Sequence, residues 1–291
     1  MPAVTVVVAS RNRRTELLAS VPRHLALPER PPVIVVDDAS TDGSADALAA
    51  AHPQAELIRL PASLGGAARN AGVRAAATPH VAFSDDDAWW RPGALARAVA
   101  LLDAHPRLAV VQARVLVGPE EREDPTCVEM AASPLARADG QPGHPILSFV
   151  ACAAVVRRSA FLAAGGFSER LAVGGEEELL GWDLAAAGWQ LSYAPEIVAH
   201  HHPPAAADGR PARRVTTQRN ALWTVWLRRP LGVAVRATAA ALARAPEDRV
   251  AARALLRAVT EGGWILRERR VNPPHVEAMR RRLEVRRGSS L

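Results

Sequence analysis

Three apolar, β-branched runs that each stop on a polar cluster constrain this chain most: "VTVVVAS" (4–10), "PPVIVVDDAS" (31–40) and "PHVAFSDDD" (79–87). Runs so uniformly apolar read as strands buried on both faces. Helical stretches separate them: "RTELLASV" after the first, "TDGSADALAAAH" after the second, and "SLGGAARNAGVRAAA" after the short apolar segment "AELIRL". The helical "PGALARAVALLDAH", with Pro92 near its first turn, and the strand-like "LAVVQARVLV" continue the alternation. Such alternation predicts right-handed crossovers and a mainly parallel α/β sheet with helices on both faces. Ligands of such sheets sit beyond the carboxyl ends of the strands. One crevice should therefore collect Ser10-Arg11-Asn12, Asp37-Asp38 and Asp85-Asp86-Asp87.

The remainder is less regular. Residues 118–147 are rich in Pro and charge and predict a long irregular excursion. "ILSFVACAAVVRR" resumes as strand, "SAFLAAG" is a short helix, and "EEELLGWDLAAAG" is a helix with Gly188 just past its end. "WQLSYAPEIVAHHH" is strand-like and stops at Pro203-Pro204. Beyond a polar linker lies a helical tail in which Trp223, Trp226 and Leu227 form one stripe and Asn272-Pro273 opens a helix. A length of 291 residues suits one large α/β domain, 1–205, and a smaller helical region, 206–291.

No lysine occurs, so the 36 basic side chains are all arginine, which with abundant Ala, Pro and Gly reflects GC-rich coding rather than function. The net charge is +6, its excess falling in the C-terminal third. That balance suits phosphate-bearing ligands or an anionic membrane surface. Nucleic acid is disfavoured, because no zinc-finger, RNP or helix-turn-helix pattern accompanies the charge. Cys127 and Cys152 stand far apart in no metal-ligand spacing, which predicts free thiols and a cytoplasmic location. The N-terminal run is too short and lacks the basic flank of a signal peptide. "LGVAVRATAAALARA" is interrupted by Arg236 and Arg244, so no transmembrane span is expected.

The acid triplet asks for a positive partner. In an extended strand Asp85 and Asp87 share a face while Asp86 points away. Two carboxylates on one face repel unless a cation lies between them, and a hard divalent ion carrying a diphosphate fits. Asp38 can accept from a nucleobase or ribose while Ser40 or Asp42 caps the following helix, although the whole stretch can equally serve as cap alone. "GGAARNAG" sets Arg69 at a helix start suited to an anion. Glu176, Glu177 and Glu178 either complement a helix dipole or supply a general base. Among the three histidines, His200 and His202 share one face and His201 the other.

Taken in order, "VTVVVASRNR", "VIVVDDASTDGS", "GGAARNAGVRAA", "VAFSDDDAWWRPGAL", "VVRRSAFLAAGGFSERL", "GGEEELLGWDLAAAGWQLSYAPE" and "HHH" resemble a family-2 glycosyltransferase of the GT-A fold, over about residues 3–202. The resemblance implies a Rossmann-like nucleotide-diphospho-sugar transferase sheet and inverting transfer of a sugar from a UDP, GDP or dTDP donor to an acceptor hydroxyl. The family's DxD motif falls on Asp85 and Asp87, which would hold Mg2+ or Mn2+, with Asp86 touching the donor. Its base-contacting acid falls on Asp38 beside Asp37. The loop from Ala9 to Arg11 would pass the nucleoside, and Arg69 would lie near the diphosphate. Counting back from Gly188 puts the family's Glu-Asp base pair on Glu176-Glu177, with Glu177 in place of the usual Asp. Asp183 stands where the family usually has arginine, and the late histidine falls on His201, which would join the metal.

Trp89 and Trp90 would either stack on a sugar or pack a lid, at least one of them as core. The tail would pack as an annex on the GT-A domain; covering the acceptor site, a homodimer contact and a peripheral membrane contact are further roles open to it. A nucleotidyltransferase would carry a glycine-rich loop after the first strand, where this chain has "ASRNRRTE". A non-catalytic GT-A module binding a partner or membrane would have no need of acids at every key strand end.

Overall fold

The computed structural model describes residues 2–203 and 211–289. In chain order the elements are β1 (Val4–Ser10), α1 (Arg14–Leu25), β2 (Val33–Asp37), α2 (Ser44–Ala51), β3 (Glu56–Arg59), α3 (Arg69–Ala75), β4 (His80–Asp85), β5 (Ala88–Trp90), α4 (Ala94–Ala104) and β6 (Leu108–Val117). There follow β7 (Arg122–Glu123), α5 (Pro125–Ala131), β8 (His144–Pro145), β9 (Ala154–Arg157), α6 (Arg158–Ala163), α7 (Glu176–Ala186) and β10 (Gln190–His201). The C-terminal helices are α8 (Pro211–Arg228), α9 (Leu231–Arg244), α10 (Arg249–Glu261), α11 (Ile265–Glu268) and α12 (Pro274–Ser289). A 3-10 turn, Gly65–Ala68, leads directly into α3.

The strand order is β3-β2-β1-β4-β9-β6-β10-β5. β1 lies inside the sheet, and Val6, Val7 and Val8 are fully buried, each such side chain contributing about 1.5–3 kcal/mol of burial. The register aligns the polar ends: Ser10 faces Asp37 across β1 and β2, and Ala9 faces Asp85 across β1 and β4. That alignment makes the three clusters one site.

Three expectations are refined. β9 runs antiparallel to both β4 and β6, so the sheet is mixed beyond its parallel half, β3 to β4. Residues 118–147 hold β7, α5 and β8, with Asp124 capping α5 by accepting from the Thr126 amide at 2.7 Å. Elements of two to seven residues are too short to show a readable period, which is why that stretch reads as irregular. The strand expected from 146 narrows to Ala154–Arg157.

The C-terminal helices pack on α7 through two apolar clusters. Leu171 and Leu179 meet Trp223, Leu227, Ala258 and Ile265, while Leu147, Trp182 and Ala185 meet Val276. Arg228 grips Asp183 with both carboxylate oxygens engaged. Arg229, 3% exposed, is neutralised by Glu277 at 2.9 Å and by Glu284. The expected boundary at 205/206, like Pro204, lies outside the described residues. No described helix is long and apolar enough to cross a membrane.

Candidate active site

β4 ends at Asp85, and the chain turns at once through Asp86 and Asp87 into β5. β5 pairs antiparallel with β10, setting Ala88 opposite His201, and the His202 amide donates to the Asp87 carbonyl at 2.8 Å. This short hairpin-like pairing carries His201 to the acid triplet. Its Nε2 lies 3.2 Å from Asp87 Oδ1. Asp85, Asp87 and His201 each offer a ligand atom, and these atoms lie within 4.8 Å of one another. Two carboxylates and one imidazole form a donor set that suits Mn2+ or Mg2+ with room for phosphate oxygens.

Guanidinium groups neutralise the same acids. Arg13 Nε lies 2.7 Å from Asp86 and Nη2 lies 2.6 Å from Asp87, while Arg69 pairs with Asp85. Ser10 donates to Asp86 at 2.8 Å, so Asp86 faces β1 and Arg13. Burial pushes Asp86 up to about 7 despite Arg13 and Ser10. Burial also acts upward on Asp87, but the hydrogen bond and charge of His201, with Arg13, hold its carboxyl below the usual range. The same contact raises His201 against its burial. These pairings keep Asp87 in the carboxylate form, the form a divalent cation would need.

Trp90 is buried. Trp89 has one face under the Arg23 guanidinium at 3.7 Å, His200 stacked at 5.4 Å and His202 on edge. Both tryptophans therefore pack against the protein. His200 also pairs with Glu121, which leaves His201 alone turned to the acids.

A cleft of about 860 Å³ opens beyond these strand ends, within the size that holds a nucleotide-sized ligand. Ala9, Arg11, Asp38, Arg69, Asp85, Asp86, Asp87, Glu176, Glu177 and His201 line it, and Asp37 does not. The Asp38 carboxylate accepts from Ser63 Oγ at 2.6 Å and from the Leu64 and Gly65 amides at 2.6 and 3.0 Å. It shapes the loop that opens α3. Arg13, Arg122 and Arg213 also reach the cleft, and sequence reasoning missed all three. In "SRNRR" nothing distinguishes Arg13 from its neighbours; only the turn after β1 aims it at the acids.

Glu176 and Glu177 begin α7 behind Gly175, whose φ of +97° ends the preceding loop. Glu176 is 5% exposed and one of its oxygens lacks a hydrogen bond, whereas Glu177 is half-buried and opens on the cleft. Burial raises both carboxyls, with the neighbouring Glu177 charge adding to the rise at Glu176 and Arg69 opposing it at both. Glu176 lies against Gly66, where a Cβ would fall 2.2 Å from Glu176 Oε1. We expect Gly66→Ala to push Glu176 aside at a cost of about 1–3 kcal/mol in stability, as overpacking does. Transfer should fall at least about tenfold through the displaced acid; unfolding midpoints and single-turnover rates check both.

Residues 5–163 match the family described as "Glycosyl transferase family 2". The chain belongs to that family. Among curated members it is 38% identical over 209 residues to a pre-mycofactocin glycosyltransferase of Mycobacterium tuberculosis, covering 68% of this chain and 43% of that protein. It thus spans less than half the length of the first curated relatives it matches. It is 27% identical to an N-acetylglucosaminyl-diphospho-decaprenol L-rhamnosyltransferase of the same organism, over 79% of this chain and 87% of that one. Among solved structures, the mannosyltransferase PcManGT from Pyrobaculum calidifontis, in complex with GDP-Man and Mn2+, superposes with a TM-score of 0.58 at 23% identity. That match covers 97% of this chain and 85% of that one. The likeness establishes the GT-A fold for this family-2 member, its C-terminal helices following the sheet domain.

Proposed function

We propose that this family-2 chain transfers a sugar, with inversion, from a nucleoside-diphosphate donor to an acceptor hydroxyl. The observation that carries the reading is the meeting in one cleft of a cation-ready Asp85–Asp87–His201 cluster and a raised carboxylate pair, Glu176–Glu177. Asp85, Asp87 and His201 would hold Mn2+ or Mg2+, which when bound supplies positive charge to the departing diphosphate. Arg69 and Arg13, already beside those acids, are placed to follow the phosphate oxygens. Ala9, Arg11 and the loop ordered by Asp38 would border the nucleoside. Glu177, partly open to the cleft, takes the acceptor proton as the hydroxyl attacks from the face opposite the leaving group. Glu176, buried against Gly66, keeps that carboxylate in place. We place residues 1–205 as the transferase domain, 206–291 as its annex, and the protein in the cytoplasm, where the two buried thiols stay reduced.

The nucleotidyltransferase alternative would need phosphate-cradling glycines after β1, and that turn is Ser10-Arg11-Asn12-Arg13. The test is hydrolysis and transfer from a panel of UDP, GDP and dTDP sugars with and without Mn2+. Metal-stimulated release of one nucleoside diphosphate is expected. No turnover and no nucleotide-sugar binding would sink the reading.

A further inference from the structure

The loop that delivers Glu176 and Glu177 is held by a residue of the C-terminal helices. Asn220, on α8, is fully buried. Its side-chain amide donates to the carbonyls of Leu171 at 2.7 Å, Val173 at 3.0 Å and Gly174 at 2.7 Å, sharing two N–H groups among three acceptors. Which end of the amide faces the loop is not arbitrary. Arg219, which has only donors, contacts Asn220 Oδ1 through Nε at 3.1 Å and Nη2 at 2.9 Å, so the NH2 must point the other way. Arg219 is itself fixed by Glu261 on α10 at 2.7 Å and by the Trp223 ring 4.1 Å from its guanidinium.

The gripped segment needs such a clamp. Ala172, Gly174 and Gly175 have φ of +59°, +84° and +97°, a run of left-handed backbone that costs free energy, most of all at alanine. On its other side the loop meets the donor-site turn, where the Gly66 amide donates to the Ala172 carbonyl. A Cβ on Gly65 would fall 2.3 Å from that carbonyl oxygen, so the approach is backbone on backbone. Residues 171–175 are therefore held between the donor loop and α8, and Glu176 follows without a spacer.

We propose that Asn220 is a positioning residue of the active site: it fixes the 171–175 loop, and through it the carboxylate pair, so the C-terminal helices complete the site rather than merely pack behind it. The inference rests on Glu176 and Glu177 being the acceptor-activating pair. Asn220 touches no reacting atom. Its removal should lower kcat and leave donor affinity alone, because the donor loop keeps its own support from Asp38.

The test compares wild type with N220A, N220D, N220S and W226F in the full chain. Trp226 packs on the cluster that includes Leu171, but its side-chain hydrogen bond, 2.9 Å to Thr238, lies within the helical region and none goes to the loop backbone, so W226F should lower Tm and leave kcat at the wild-type value. N220A and N220D should lose about 10–100-fold in kcat, the scale on which a small misplacement of reacting groups acts. Their KM for the donor nucleotide sugar should stay within about threefold. The serine of N220S retains one hydroxyl donor and should fall between N220A and wild type. Amide hydrogen exchange across 171–177 should speed up in N220A and N220D and not in W226F. Unchanged exchange there, or unchanged kcat in an active protein, overturns the proposal, as does a kcat loss in W226F equal to that in N220A. A wild type that turns over no nucleotide sugar fails the proposed transfer instead, and the exchange comparison still decides the role of Asn220.

Discussion

Asp87→Asn is expected to remove Mn2+ binding and transfer while leaving the fold almost as stable as before. Asp87 supplies one of three converging ligands, and an amide oxygen is a poor replacement for a carboxylate on a divalent ion. Metal affinity should fall by more than the roughly 10–100-fold that losing an outer hydrogen-bond partner costs. Transfer should fall by about a thousandfold, since the charge on the leaving diphosphate is then met by Arg13 and Arg69 alone; each tenfold corresponds to about 1.4 kcal/mol. Stability has a defined sign. The Asp87 carboxyl sits below its ordinary value of 3.8 in the fold, so its contribution is present above that value and is lost as the pH falls through the folded one. The variant should therefore melt slightly below wild type at pH 7, by no more than about 4 °C, and match it in strong acid. Arg13 retains Asp86 as a partner, which limits the loss. Calorimetric Mn2+ titration and melting curves from pH 7 down into strong acid read both quantities. Wild-type transfer in this variant would take Asp87 out of the metal site.

Much of this site was legible because strand ends are. Three consecutive core positions of β1, Val6 to Val8, are apolar, so the strand could sit only in the sheet interior, and its neighbours were bound to end beside it. The pairing of Asp85 with Asp87 followed from period two, while His201 came from the family resemblance, since period two alone only separates it from His200 and His202. What escaped depended on side chains whose targets are set by turns. Arg13 could not be told from Arg11 or Arg14, yet it alone bridges Asp86 and Asp87. Asp38 lines the cleft, but its hold on the amides of a loop 26 residues on was not foreseen. Asn220 carries no signal in the sequence, because the three carbonyls it serves lie 46 to 49 residues earlier. Mixed pairing around β9 was hidden for a related reason: a four-residue strand carries no mark of its direction.

We expect Glu177→Gln to abolish transfer and keep the donor. Loss of a general base costs about 10²–10⁴-fold, while nucleotide-sugar and Mn2+ affinities should hold within about twofold because neither glutamate belongs to the metal cluster. Glu176→Gln separates the two acids. It should retain much of the activity, and because burial already keeps Glu176 protonated up to about 8, the rising limb of kcat/KM, set by Glu177, should stay near its wild-type pH. In the wild type that limb should stand above the ordinary 4.5 of a glutamate, burial having raised both groups. The stability effect runs the other way from activity. Glu176 holds its proton in the fold where the unfolded chain releases it, so wild-type stability declines as pH rises from 4.5 toward the raised value. Glutamine has no such slope. E176Q should therefore equal wild type in Tm near pH 5 and exceed it at pH 8, by roughly 2–4 °C for each kcal/mol of relief in a domain of this size. A dead E176Q beside an active E177Q would move the base to Glu176, and a Tm gain that did not grow with pH would mean that its carboxyl is ionised in the fold.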